Sequence, residues 1–303
     1  MSYKDEKIQI MYGITGQKNL KEKSLTFLQG YEGSQPVRIG NRAFSQKQND
    51  IFGVLLHVID QYLSVFKRGT IENRESIWTV VRTLARHVEK HWGLKDRGIW
   101  EFRGMKKHFT FSKVLCWVAM DRAAKIALYF DKEAYARTWT DYAVRIKAQI
   151  LKHGWNPQLG SFVQAYGEEH LDAANLLMAD YGFICADDPM YVSTVKRTDA
   201  CLCRDGLMYR YRNSDDFGEP KSSFTVCTFW LVKSLFRIGD RQRARELFEN
   251  LLSLSNHVGL LSEDIDFTTK RLLGNFPQGY SHLSLIDAAI TLSDEKITKG
   301  LDL

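Results

Sequence analysis

Proline and cysteine are scarce in this chain. Only 5 of its 303 residues are proline. Because proline interrupts helices, this scarcity favours long uninterrupted helices over a loop-rich all-β fold. The 5 cysteines are an odd number, and Cys201-x-Cys203 has no second cysteine pair at metal-ligand spacing. We therefore expect reduced thiols in a cytoplasmic protein.

Long apolar runs and concentrated charge are also absent. No stretch reaches the roughly 18 apolar residues that a membrane helix needs, and the amino terminus, MSYKDEKIQI, has no apolar signal region. The 42 basic and 36 acidic residues are spread along the chain. Because nucleic-acid binding favours a concentrated basic stripe, we expect neither a membrane nor a nucleic acid as a partner.

Amphipathic patterns fill most of the chain from residue 45 onwards. Apolar residues recur there at three- and four-residue spacing, in segments separated by glycines, aromatic residues and acids. The predicted helices cover residues 45–69, 72–92, 112–130, 132–153, 171–181, 188–199, 222–238, 240–255 and 281–292. No proline- and serine-rich linker or fixed-period repeat interrupts them. The pattern predicts an all-α protein with one structural unit over residues 45–303.

Residues 1–44 follow a different pattern. Ile8, Ile10 and Tyr12 alternate with other residues as in a β-strand, and glycines punctuate the sequence behind them. We expect an irregular segment with short strands, which precedes the helical unit.

Two loops between the predicted helices combine carboxylates with aromatic and hydrogen-bonding residues. Glu101 lies between Trp100 and Phe102 in the first loop, and Glu263 lies beside Asp264 in the second. Apolar neighbours raise the pKa of a carboxyl, which suits a general acid, whereas a polar setting keeps a second carboxylate ionised. Glycoside hydrolysis requires two carboxyls of this kind.

Each glutamate also has a purely structural interpretation. Glu101 could pair with Arg97 or Arg103, and Glu263 could cap the helix that follows it. Spacing alone leaves both interpretations open.

Other chemical motifs are weak. Asp264-x-Asp266 is similar to the start of a calcium loop, but the glycine and the later glutamate of such a loop are missing. Glu168-Glu169-His170 does not match the spacing of a zinc-protease helix. A phosphate-binding loop and a dinucleotide fingerprint are absent as well. We therefore expect no metal and no organic cofactor.

Several longer blocks follow one another in an order that chance does not explain. They are IQIMYG (8–13), GSQPVRIGN (33–41), GIWEFRGMKKHFTFSK (98–113), FVQ (162–164), LDA (171–173), YRY (209–211) and GNFPQGYSH (274–282). Together they resemble glycoside hydrolase family 15, the glucoamylase and bacterial trehalase-like family. The resemblance implies an (α/α)6 toroid with its active site at one mouth, which agrees with the consecutive long helices.

The resemblance also implies the chemistry of the two glutamates. Glu101 matches the general acid of the family and Glu263 matches its general base. The implied reaction is hydrolysis of an α-glucosidic bond with inversion, for which the two carboxyls should lie roughly 6.5–9.5 Å apart.

Other residues in the matching blocks are candidates for substrate binding. Trp100 would pack against a sugar face. The residues that could hydrogen-bond sugar hydroxyls are Arg38, Asn41, Arg103 and His108, although an arginine in a loop also serves as a salt-bridge partner. Asn275, Gln278 and His282 could instead buttress the loop of Glu263.

The resemblance covers only the carboxy-terminal catalytic part of the family. Bacterial members also have an amino-terminal β-sandwich, the first toroid helices and an Arg-Asp substrate motif, which have no counterpart here. With about nine of the twelve toroid helices, the ring would be incomplete and would expose apolar helix faces. A second polypeptide or a homodimer could close it.

We therefore expect an inverting glycosidase of the α-glucosidase or trehalase-like type, acting on trehalose or another α-glucoside. Its activity should be impaired in the isolated chain, because transition-state binding depends on a complete pocket wall. The alternative is an inactive fragment, or a non-catalytic helical protein that binds sugars or other proteins.

Overall fold

The computed structural model describes residues 8–65, 73–215 and 218–293. The α-helices in these ranges are α1 (Asp50–Val65), α2 (Arg74–His91), α3 (Thr110–Tyr129), α4 (Glu133–His153), α5 (Pro189–Leu202), α6 (Thr225–Arg237), α7 (Arg241–Ser253) and α8 (Gly279–Ser293). A 3-10 helix at Ala173–Met178 occupies the position of the predicted helix between α4 and α5. The predicted end of the first helix at residue 69 and the predicted start of the second at residue 72 lie outside the described residues.

Short strands connect the helices in small antiparallel sheets. Three hairpins join β1 (Lys23–Ser24) to β2 (Arg38–Ile39), β3 (Trp155–Asn156) to β4 (Ser161–Phe162), and β5 (Cys203–Arg204) to β6 (Leu207–Met208). A three-stranded sheet has the order β7 (Ser223–Phe224), β8 (Asp264–Ile265) and β9 (Leu272–Leu273). Because β7 pairs with β8, α6 begins at Thr225 and not at the predicted residue 222.

The strand predicted from the alternation at Ile8, Ile10 and Tyr12 is wrong. These residues pair with no strand in the described structure, and the side chain of Gln9 instead donates hydrogen bonds to the carbonyl oxygens of Lys18 (2.9 Å) and Phe44 (3.1 Å). Alternating apolar residues favour extended backbone, but a strand also needs a partner with free backbone groups. Residues 13–44 contain β1 and β2 and two short 3-10 helices, at Tyr31–Gly33 and Arg42–Ser45.

The helices form a curved double row. Its inner row runs from α1 through α3, the 3-10 helix at Ala173–Met178 and α6 to α8, with each element packed against the next. The outer helices α2 and α4 pack against α3, and α7 packs against α6. In the described part of the chain, α1 and α8 are therefore the two ends of the inner row.

Apolar packing between the two rows stabilises this arrangement. One core cluster includes residues from all eight α-helices, and α3 is buried around most of its circumference, as its apolar sequence predicts. A separate small cluster lies around the loop between α2 and α3 and consists of Phe102, Phe109, Ala165 and Tyr211. The loop that contains Glu101 thus has an apolar base of its own.

None of the helices in the described ranges is long and apolar enough to cross a membrane.

Candidate active site

Glu101 lies in a tight loop between α2 and α3. Its N–H donates to the carbonyl oxygen of Gly98 at 3.2 Å, and its φ of 57° falls in the left-handed region. This region is unfavourable for a residue with a side chain, and such strain persists only where surrounding contacts maintain it. Strained residues of this kind cluster at functional sites.

Two side chains maintain the conformation of the loop. The guanidinium of Arg97 donates to the carbonyl oxygens of residues 102–104, with a distance of 3.1 Å to that of Phe102. The amide of Gln46 donates to the carbonyl oxygen of Glu101 at 2.9 Å. Arg97 therefore binds backbone carbonyls and not the Glu101 carboxylate, which excludes the pairing of Glu101 with Arg97.

The Glu101 carboxyl lies in a half-buried, mixed environment. Burial raises its pKa above the usual value, and the negative charge of Glu263 acts in the same direction. A side-chain hydrogen bond with Asn41 and the positive charge of Arg103 partly oppose this rise. A carboxyl with a raised pKa keeps its proton to higher pH, as a general acid must. The charge of Glu263 therefore lies close enough to Glu101 to act on its pKa.

Glu263 lies directly before β8, beside the first turn of α6. Its Oε2 accepts hydrogen bonds from the backbone N–H of Asn275 (3.0 Å) and from the side-chain amide of Asn275 (2.9 Å). Gly274 has a φ of +72°, and a Cβ there would lie 2.9 Å from the same oxygen. Since a strand and not a helix follows Glu263, it does not cap a helix. Within the described residues, its Oε1 has no hydrogen-bond partner.

The residues expected to buttress the Glu263 loop do so. The backbone N–H of Gln278 donates to the carbonyl oxygen of Leu261 at 3.0 Å, and Nε2 of His282 accepts from the N–H of Leu261 at 3.3 Å. Ser281, which the sequence did not single out, donates its hydroxyl to the carbonyl oxygen of Ser262 at 2.8 Å. The segment that leads into α8 and the first turn of that helix thus fix the loop through four residues: Asn275, Gln278, Ser281 and His282.

Two of the predicted sugar-binding residues interact with Glu101, and a third is linked to one of them through Glu22. Asn41 hydrogen-bonds the Glu101 carboxyl, while Arg38 and Arg103 both contact the carboxylate of Glu22, at 3.6 Å and 3.2 Å. Glu22 was not predicted, because nothing in its local pattern distinguishes it from a solvated acid. Whether these side chains contact a sugar stays a prediction.

His108 lies apart from this group. Its ring stacks on Tyr166 with 5.8 Å between centroids, and burial, followed by the charges of Lys113 and Lys95, lowers its pKa. Within the described residues, none of its contacts joins it to either glutamate. A role for His108 in substrate binding therefore also stays a prediction.

Trp100 is half-buried in an aromatic cluster beside Glu101. Its ring packs against Tyr211, Phe224 and Trp230, with centroid distances of 6.2, 5.7 and 6.0 Å. Its indole N–H donates to both carboxylate oxygens of Asp172, at 2.9 and 3.0 Å. Asp172 lies in one of the matching blocks, LDA (171–173), but no role was predicted for it.

A cavity of about 320 Å³ opens beside these elements. Phe224, Ser222 and Asp264 line it, together with Arg210 and residues 218–221. The hydroxyl of Ser222 donates to Asp264 at 2.5 Å, and burial raises the pKa of Asp264 to about 6. The cavity has the size of a small-molecule site and lies between the neighbours of Trp100 and those of Glu263.

The sequence of the chain also matches a known family. The model of the glycosyl hydrolases family 15 matches residues 2–290. The chain belongs to this family.

Relatives in glycosyl hydrolases family 15 include several trehalases. The trehalase of Mycolicibacterium smegmatis is 42% identical over 286 residues, which are 93% of this chain and 42% of that protein. The trehalase of Mycobacterium tuberculosis is 43% identical over 93% of this chain and 41% of its own length. For the trehalase of Thermoplasma volcanium, the identity is 37%, over 97% of this chain and 46% of that protein. The chain thus spans less than half the length of these curated relatives.

Solved structures confirm the predicted fold class, an all-α toroid of the (α/α)6 glycosidase type. A wild-type glycosidase has a TM-score of 0.68 at 16% identity and matches 86% of this chain and 73% of its own. A bacterial glucoamylase complexed with acarbose has a TM-score of 0.68 at 15% identity, over 84% of this chain and 43% of its own. The glucoamylase of Saccharomycopsis fibuligera has a TM-score of 0.65 at 13% identity, over 84% of this chain and 71% of its own. At these identities the likeness concerns the fold alone.

Proposed function

We propose that this chain supplies the catalytic carboxyls of an inverting α-glucoside hydrolase, with Glu101 as general acid and Glu263 as general base. The observation that supports this most is the pairing of two interacting carboxyls in unlike settings. Burial raises the pKa of Glu101, whereas two donors from Asn275 orient Glu263 and leave Oε1 for a water molecule. Because several relatives are named trehalases, trehalose is the substrate we assign first.

The reaction is a single displacement. The protonated Glu101 donates its proton to the glycosidic oxygen as the bond from the anomeric carbon to that oxygen breaks. On the opposite face of the sugar, Oε1 of Glu263 accepts a proton from the water whose oxygen bonds to the anomeric carbon. The anomeric centre inverts, Glu101 ends ionised and Glu263 ends protonated, and solvent restores both protonation states.

We assign the remaining predicted residues to substrate binding. Asn41, Arg38 and Arg103 lie on the Glu101 side, where they would hydrogen-bond hydroxyls of the leaving sugar, and His108 would act farther out. Trp100 would contribute an apolar ring face. The five free thiols suit a reducing compartment, so we place the enzyme in the cytoplasm.

The products of trehalose hydrolysis test this mechanism. Trehalose joins two α-glucosyl units, so an inverting enzyme must release one β-glucose and one α-glucose per turnover. We expect proton NMR of the first minutes of reaction to show both anomers in equal amounts, before mutarotation mixes them. Release of α-glucose alone would contradict the mechanism.

We further propose that a second polypeptide covers the open ends of the inner row. One face of α8 carries four apolar residues that are 54% to 69% exposed: Tyr280, Leu283, Ile286 and Ile290. The exposed apolar residues of α1, at the other end, are Val58, Tyr62 and Val65. Contiguous exposed apolar patches are typical of surfaces that bind a partner.

The relatives suggest a size for such a partner. Since this chain matches only 42% of the Mycolicibacterium smegmatis trehalase, the remainder of such a protein is long enough to contribute several helices. Amphipathic helices from it would bury both stripes and complete the ring. A second copy of this chain is the competing occupant.

Light scattering and activity distinguish the two occupants. We expect the purified chain to hydrolyse trehalose far more slowly than the ~1 per second of ordinary enzymes. Co-expression with the unmatched part of the Mycolicibacterium smegmatis trehalase should give a stable one-to-one complex with normal turnover.

Substitutions within the α8 stripe provide the control. Leu283→Glu together with Ile286→Glu should weaken the complex at least about tenfold, because charges would enter its apolar contact. Val144→Glu should not, although Val144 is 63% exposed, because it lies on α4. A homodimer of this chain that hydrolyses trehalose at a normal rate would contradict the proposal that a second polypeptide covers these ends.

A further inference from the structure

Asp172 is a buried carboxylate whose oxygens are all engaged. It is 4% exposed and accepts hydrogen bonds from the indole of Trp100 (2.9 and 3.0 Å) and the amide of Gln164 (3.1 Å). The backbone N–H of Ala174 donates to it as well, at 2.8 Å. A buried carboxylate with so many donors has one well-defined orientation.

Asp172 belongs to the most central part of the fold. It caps the 3-10 helix at Ala173–Met178, which lies in the middle of the inner row between α3 and α6. The backbone N–H of Ala173 donates to the carbonyl oxygen of Arg210 at 2.9 Å, which fixes the start of this helix further. The hydrogen bond to the indole therefore ties Trp100 to a rigid element.

The fixed position of the Trp100 ring also restricts Glu101, the next residue in the chain. Its ring is held at the N–H by Asp172 and on its sides by Tyr211, Phe224 and Trp230. Because Glu101 follows directly and has a left-handed backbone, the placement of the Trp100 ring determines where the Glu101 carboxyl points.

We propose that Asp172 is a positioning residue, which orients the general acid Glu101 by holding the indole of Trp100. The inference rests on the proposed function, since it presupposes that Glu101 is the acid. The main charges that shift the pKa of Glu101 are those of Arg103 and Glu263, whereas Asp172 is joined to the Glu101 loop by a hydrogen bond to the indole of Trp100. The effect is therefore carried by the indole hydrogen bond.

The protonation of Asp172 gives this hydrogen bond a pH dependence. Burial raises the pKa of Asp172 to about 6, against the donated hydrogen bonds and the positive charge of Arg210. Cys227 on α6 also acts electrostatically with Asp172, and burial raises the pKa of its thiol well above the usual value, so the thiol stays neutral. Above about pH 6 the indole thus donates to a full negative charge.

A double-mutant cycle tests the transmission through the indole. In the active assembly, Asp172→Asn should lower kcat by about 10- to 100-fold with little change in KM, because it misplaces the acid without removing a substrate contact. Trp100→Phe removes the N–H but keeps a ring. In that background, Asp172→Asn should lower kcat no further.

Asp188→Asn is the matched control. Asp188 also caps a helix, accepting from the N–H of Met190 at 2.8 Å, but it lies at the start of α5. We expect its substitution to leave kcat unchanged. Additive effects of Asp172→Asn and Trp100→Phe on kcat would overturn the proposal, since a purely structural carboxylate would act independently of the indole.

A spectroscopic measurement tests the same bond without any turnover. In the chain labelled with ¹⁵N-tryptophan, the indole N–H resonance of Trp100, assigned by its loss in Trp100→Phe, should shift with a midpoint near pH 6. The shift should vanish in Asp172→Asn, and a resonance that does not change between pH 5 and 8 would contradict the bond. If the resonance titrates but Glu101→Gln stays fully active, the bond stands and the assigned acid is wrong.

Discussion

Glu101→Gln should lower kcat for trehalose by about 10²- to 10⁴-fold in the active assembly. Glutamine has nearly the same size and can keep the hydrogen bond to Asn41, but it has no proton to give to the leaving oxygen. The loss should depend on the leaving group. Fluoride departs without protonation, so Glu101→Gln should hydrolyse α-glucosyl fluoride at a rate close to that of the wild type.

Glu263→Gln distinguishes the role of general base from that of general acid. A general base is needed for attack by water whatever the leaving group, so this variant should lose activity on trehalose and on α-glucosyl fluoride alike. Steady-state rates of both variants on both substrates decide the assignment. Glu133→Gln, at an exposed ion pair on α4, serves as the control and should match the wild type. If Glu101→Gln retained more than a tenth of the activity on trehalose, Glu101 would not be the acid.

The helices could be predicted from the sequence because their signals are local. Apolar spacing and glycines delimit α2, α3 and α4 to within a few residues, and no distant contact is needed for them to form. The alternation at residues 8–12 is equally local but misleading, because a strand depends on a partner elsewhere in the chain. The start of α6 differs from the prediction for the same reason. It lies at Thr225 and not at residue 222, because β7 pairs with β8, a strand that lies beyond α7 in the sequence.

The site was only partly predictable for a related reason. Glu101 and Glu263 lie in long motif blocks, so the resemblance located them. Asp172 and Trp100 are 72 residues apart, and their bond exists only because the inner row brings the two loops together. The capping role of Asp172 could have been predicted, since an aspartate before a short apolar helical segment is a typical cap. Its hydrogen bond with the indole of Trp100 could not, because no local pattern indicates that partner.

Asp50 is a buried acid that the proposed mechanism does not use, and we expect it to destabilise the fold at neutral and higher pH. It is the first residue of α1 and is 6% exposed, and its Oδ1 accepts from the N–H of Ile51 at 2.8 Å. Burial, followed by the charge of Asp96, raises its pKa from 3.8 to about 7. Between these values the folded state binds a proton that the unfolded state has released. The contribution of Asp50 to stability therefore falls as pH rises through this window.

Asp50→Asn removes this titration while keeping the size of the side chain and its acceptor oxygen. Relative to the wild type, the free energy of unfolding of the variant should rise by about 4 kcal/mol between pH 4 and pH 8 and stay level above that. Urea unfolding of both proteins at pH 4, 6 and 8 measures the difference. Asp205→Asn, at an exposed position, should show no such rise. Parallel stability curves for Asp50→Asn and the wild type would mean that the pKa of Asp50 in the fold stays near its reference value of 3.8, with the charge compensated by the amino-terminal end of α1.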